Sequence, residues 1–200
     1  MLLKSKGTGM AVLILGIIIF LGGHGLSTFR RARTDLIERF GVGPYKIVFS
    51  LVSIVGLALI VWGFSRYRAE GLIPVWSPPS WTRHFTITLM WFSFVALACI
   101  NPAPSRIRGW LRHPMLVAIK IWALAHLFAN GDAGGMLLFG SFLAFAVFDR
   151  IAVRQRGDSG APGVASFTRA DAIALIVGTA AYVAMIFLHP ILIGVPVIGK

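Results

Sequence analysis

The chain has 200 residues, 57% of them hydrophobic and 13% charged, with a net charge of +12. Its mean hydropathy of +0.82 excludes an ordinary soluble globular domain. The basic residues border apolar stretches and form no separate basic domain, so the charge points to anionic lipid headgroups rather than to nucleic acid. The single cysteine, Cys99, excludes an internal disulfide and a cysteine-ligated cluster, and serves as a small apolar filler.

Six apolar stretches, at about 10–27, 45–65, 84–101, 115–129, 133–148 and 170–189, are predicted as membrane helices. The first, second, third and sixth reach, or nearly reach, the roughly 20 residues that a crossing needs. The fourth and fifth are short, which predicts tilted, re-entrant or enclosed segments forming a hairpin closed by Asn130-Gly131-Asp132. Unbroken apolar runs lack the alternation of a barrel, so the expected fold is all-α: one polytopic membrane bundle of about six transmembrane helices.

In chain order, Lys4 and Lys6 precede the first stretch, as in a signal peptide. It is followed by the stop-transfer pair Arg30-Arg31 and not by a small-residue cleavage site, so a retained helix is expected. Near its end lies Gly22-Gly23-His24-Gly25. These glycines either bare the helix surface for a flat group such as a porphyrin or allow tight helix packing with His24 as a hydrogen-bonding residue.

The segment 71–81 is Pro-rich and cannot be helical throughout. Trp76 and Trp81 suit one headgroup layer and Trp110 the other. His84 opens the third stretch. Pro114 pre-sets the start of the fourth and holds His113 extended at its mouth, beside Arg112. His126 lies roughly 15–20 Å further along, near mid-membrane, with Trp122 and Asn130 one turn to either side.

Lys120, inside the fourth stretch, is expected to snorkel or pair. Asp149-Arg150 is expected to cap the fifth stretch, and 155–166 to be the most flexible part of the chain. Thr168, with Asp171 three residues on, predicts a capping box for the sixth, which His189-Pro190 closes.

Loops after the first, third and fifth stretches carry twelve Lys and Arg, against six on the opposite side. The positive-inside rule then places the odd loops in the cytoplasm and both termini outside. A histidine at membrane depth is costly and marks a site by default, which singles out His24 and His126. The seven acids border helices or sit in loops, so no internal acid chain offers a proton relay. No P-loop, dinucleotide fingerprint, nucleophile elbow or metalloprotease motif is present.

Gly23-His24-Gly25-Leu26-Ser27, Arg112-His113-Pro114, the run 121–126, Asn130-Gly131-Asp132 and His189-Pro190 together resemble the NnrU family of bacterial membrane proteins over nearly the whole chain. The resemblance implies an inner-membrane location and an association with nitrite and nitric oxide reductase. The family is also similar to the plant 15-cis-zeta-carotene isomerase, a membrane enzyme that uses haem b. That similarity implies His24 and His126 as axial haem ligands, supported by Gly23, Gly25, Trp122 and Asn130. Arg112, His113 and His189 are secondary matches. The isomerase has a cysteine three residues before its second ligand histidine, where this chain has Ala123.

Two functions lead, and a weaker third comes from Arg112-His113-Pro114, a segment that also occurs in small membrane methyltransferases acting on lipid or isoprenylcysteine. One is a haem b protein that transfers electrons or isomerises a lipid-soluble substrate, with a membrane redox partner. The other is a non-catalytic assembly factor or carrier supporting nitrite and nitric oxide reduction.

Overall fold

A computed structural model describes residues 7–198; Lys4, Lys6 and Lys200, which enter the charge asymmetry, lie outside the described residues. The chain forms α1 (Thr8–Thr28), α2 (Arg30–Phe40), α3 (Val42–Glu70), α4 (Ser80–Ala98), α5 (Arg106–Leu111), α6 (Pro114–Ala129), α7 (Ala133–Gln155) and α8 (Arg169–Leu192). Among the described residues there is no strand, only an isolated bridge between Pro74 and Asp132. The all-α expectation holds, and each of the six apolar stretches is a helix.

Four helices, α1, α3, α7 and α8, are long and apolar enough to cross a membrane, and α6 is a shorter apolar helix. Ile18, Ile54, Ile176 and Phe187 on α1, α3 and α8 are 62–70% exposed. Large apolar side chains pointing outward in such number suit lipid and not water.

Three expectations at helix ends are corrected. The fifth stretch is not short: α7 continues to Gln155, so Asp149-Arg150 lies inside the helix and does not cap it. The apolar run stops there, but Asp149 through Gln155 contains no breaker, and the helix ends only before Gly157, whose φ is 71°. Pro190 likewise lies inside α8, which runs on to Leu192. Proline's φ is helical, so the last turn survives, secured by the Ile193 amide donating to the His189 carbonyl at 2.8 Å. Finally, α6 stops at Ala129, so Asn130 is not on its next turn but begins the link to α7.

The chain divides into two compact units, the described part of Met1–Ser77 with Asn130–Phe145, and of Pro78–Ala129 with Ala146–Lys200. In the first, α1 and α3 form a closely packed antiparallel pair. A Cβ built on Gly9, Gly16, Gly56 or Gly63 would come within 3.0 Å of the facing helix's backbone, at Tyr67, Ile60, Phe20 and Leu13 respectively. Small therefore faces large along the whole pair, and the backbones approach as only glycine permits. At one end Glu70 accepts the amides of Gly7 at 3.1 Å and Gly9 at 3.1 Å. It thus caps α1, whose own N-cap has no side chain.

The Pro-rich segment is held in place by backbone bonds. The Val75 and Trp76 amides donate to Gly131 O at 2.7 and 3.0 Å, and Ala133 N donates to Ile73 O at 2.9 Å. Buried Tyr67 accepts the Ile73 amide on its hydroxyl at 2.9 Å. Asp132 caps α7 through the Gly135 amide at 2.8 Å.

In the second unit, α4 lies against both α6 and α8. Its polar side chains stitch the helices: Thr86 donates to Ala125 O at 2.8 Å, Ser93 to Ala118 O at 2.9 Å, and Trp91 to Thr179 Oγ1 at 3.0 Å. The predicted capping box at Thr168–Asp171 is present. Asp171, fully buried, does more than this. Its carboxylate also accepts the Ser105 hydroxyl and the amides of Arg106 at 3.1 Å and Ile107 at 2.8 Å. One carboxylate therefore caps the start of α5 and the start of α8 together.

Candidate functional site

His24 lies in the last turns of α1, in the first unit, and is half-buried. Its Nδ1 lies 2.8 Å from the carbonyl of Phe20, one turn earlier. A carbonyl can only accept, so Nδ1 is the donor, and in the neutral ring Nε2 carries the lone pair. The imidazole stacks on Phe20 with centroids 4.3 Å apart, and Phe49 and Phe145 complete an aromatic surround at 5.1 and 6.4 Å.

The glycines around His24 differ from those that pack α1 on α3. A Cβ on Gly22 would meet nothing within 4 Å, and one on Gly25 only Phe145 at 4.0 Å. Gly23 is tighter, 3.2 Å from Val52. Close helix packing thus belongs to Gly9 and Gly16, while Gly22 and Gly25 leave the turn that carries His24 bare.

His126 lies in the last turn of α6, in the second unit, and is also half-buried. It repeats the local geometry of His24: Nδ1 is 2.8 Å from the carbonyl of the aromatic residue four back, Trp122, and the two rings lie 5.4 Å apart. In the neutral ring Nε2 again carries the lone pair. Ala123 and Ala125 beside it are wholly buried, and Ala123 offers no donor atom. Lys120 is half-buried on the same helix.

Metal-binding histidines are characteristically oriented by donating their second ring N–H to a carbonyl or carboxylate, which fixes the tautomer and aims the other nitrogen. Both histidines have that arrangement, with Nδ1 turned to a carbonyl and Nε2 turned away from it. Among the described residues, no three His, Cys, Asp or Glu side chains gather as a metal-ion site.

The remaining candidates are placed as follows. His84 is exposed near the start of α4. His189 is held at the far end of α8 through Nδ1 and the Val195 carbonyl, 2.6 Å apart. His113 precedes α6 as expected, but it is not the solvated interfacial histidine its position suggests: its Nε2 is buried without a partner. Arg112 has φ 60° and ψ −51°. Glu70 caps α1, Asp132 caps α7 and Asp171 caps α5 and α8, while Asp158 accepts the Gly160 amide within its own loop.

No curated protein and no solved structure matches this chain. The family model described as NnrU protein matches residues 12–197, nearly its full length, and on that match the chain belongs to the NnrU family.

Proposed function

We propose that this protein is an inner-membrane haem b protein with His24 and His126 as axial ligands. It would act in electron transfer, or in redox-linked isomerisation of a lipid-soluble substrate, in the setting of nitrite and nitric oxide reduction that the family name implies. Haem, when bound, supplies one-electron chemistry whose potential follows the axial ligands and their hydrogen bonds. The observation that carries this reading is the repeated bond from Nδ1 to the carbonyl of an aromatic residue one turn back. That bond favours the tautomer in which a neutral imidazole offers Nε2 to a metal, and the open space beside Gly22 and Gly25 suits a flat macrocycle.

Exchange of a histidine for a cysteine ligand is not part of the proposal, because Ala123 occupies that position. Both termini are taken as periplasmic and the basic odd loops as cytoplasmic, facing anionic headgroups. A membrane redox partner or an apolar substrate completes the scheme.

The test is an absorption spectrum of protein purified in detergent after haem-replete expression. A Soret band with a low-spin reduced-minus-oxidised difference is expected, lost or shifted to high spin in His24→Gln and in His126→Gln. A wild-type protein without a Soret band refutes the proposal. The reading as a non-catalytic assembly factor, which the structural use of the acids as caps favours, would then take its place.

A further inference from the structure

Three uncommon features coincide in the second unit. Arg112 is the one non-glycine among the described residues with a positive φ. Arg108 Nε and His113 Nε2 are the two buried side-chain polar atoms, among the described residues, that lack a hydrogen-bond partner. All three residues line one open cleft of about 370 Å³.

Strained backbone persists only where its surroundings over-determine it, and it concentrates at ligand clamps. Here the Arg112 carbonyl is pinned by the Ala161 amide at 2.8 Å, while its guanidinium makes only a long contact of 3.4 Å to Ser159 O. The Arg108 guanidinium does the same with Pro102 O at 3.4 Å. Most N–H donors of both arginines are uncommitted. His113 Nε2 lies under Gly160, where an added Cβ would come within 2.7 Å of it.

The lining also says what the cleft takes. Asp149 and Asp158 share the lining with the two arginines and limit its positive charge, so the cleft suits a group with one negative charge rather than several. A phosphodiester carries one; a free phosphate or diphosphate carries more. Met115 and Leu116, in the first turn of apolar α6, supply an oily wall, and Met115 is half-exposed. Nearby Trp110 is 71% exposed with the Arg106 guanidinium 4.9 Å from its ring centroid, an arrangement suited to the headgroup layer.

We propose that this cleft binds one membrane phospholipid. Its phosphodiester takes the N–H donors of Arg108 and Arg112, and its acyl chains run along Met115 and Leu116. This role is separate from haem binding.

The test uses delipidated full-length protein in detergent and native mass spectrometry. The probes are dioctanoylphosphatidylglycerol, dioctanoylglycerol and inorganic phosphate. One phosphatidylglycerol per chain is expected, with affinity at least about tenfold lower in Arg112→Gly and in Arg108→Gln, as loss of a charge-assisted bond implies. Arg112→Gly suits the positive φ, so it should unfold no earlier than wild type without lipid, which separates lost binding from lost fold. Unchanged affinity in both variants overturns the proposal. Equal binding of dioctanoylglycerol reduces the cleft to an apolar groove and overturns it too. Equal binding of inorganic phosphate makes it a free-anion site and overturns the lipid assignment.

Discussion

The Ser105 hydroxyl donates to the Asp171 carboxylate across 66 residues of sequence, and that bond joins the starts of two helices. Ser105 itself caps α5 by accepting the Arg108 amide at 3.0 Å, while Asp171 belongs to the capping box of α8. Asp171→Ala would leave two α5 amides and the Thr168 amide without their acceptor. A loss of about 3 kcal/mol is expected, from several caps lost at once. Asp171→Asn, which retains one acceptor oxygen, should lose less. Thermal unfolding in detergent followed by circular dichroism measures both.

The α1–α3 pair predicts a contrast between glycines on one helix. Gly16→Leu places a side chain where the backbone of Leu59 and Ile60 already lies, and should destabilise by about 3 kcal/mol or prevent folding. Gly22→Leu meets open space and should leave the unfolding temperature within error. If Gly22 borders the haem, the same substitution lowers haem content; the Soret absorbance per protein reads this separately from stability.

Tyr67 and Gly134 form a second tight pair, since a Cβ on Gly134 would run into the tyrosine ring. Gly134→Val should destabilise by about 1–3 kcal/mol. Tyr67→Phe keeps the packing but removes the acceptor of the Ile73 amide, for about 1 kcal/mol. Limited proteolysis within 71–79 should speed up in both variants, because that segment is tied to Tyr67 and to Gly131.

Glu70→Ala tests the cap that α1 borrows from α3. Two amides lose a charged acceptor, and about 1 kcal/mol of stability should go with them. A melting curve no different from wild type would show that water replaces the carboxylate fully.

The helices were legible because their apolar length is a local property, and the Thr168–Asp171 box because its two partners are three residues apart. The end of α7 was misplaced because hydrophobicity and helicity stop at different residues: Asp149 leaves the first pattern and keeps the second. The glycine pairing has a mark in the sequence, a seven-residue interval between Gly9 and Gly16 and again between Gly56 and Gly63, but an interval alone does not say which helix each glycine faces. The strain at Arg112 and the orphaned Nε2 of His113 were not legible. They depend on Gly160 and Ala161, which fold back from a distant loop. Within that loop Ala161 is buried and donates its amide to the Arg112 carbonyl.

The bond from the Gly9 amide to Glu70 spans 61 residues, and it sets a timetable for biogenesis. At about 5–20 residues per second, the ribosome delivers the glutamate roughly 3–12 s after the glycine. During that interval the first amides of α1 lack the Glu70 carboxylate and its glycines lack the facing helix. The amino end of the first helix is therefore completed only when the last turn of the second long helix has been made.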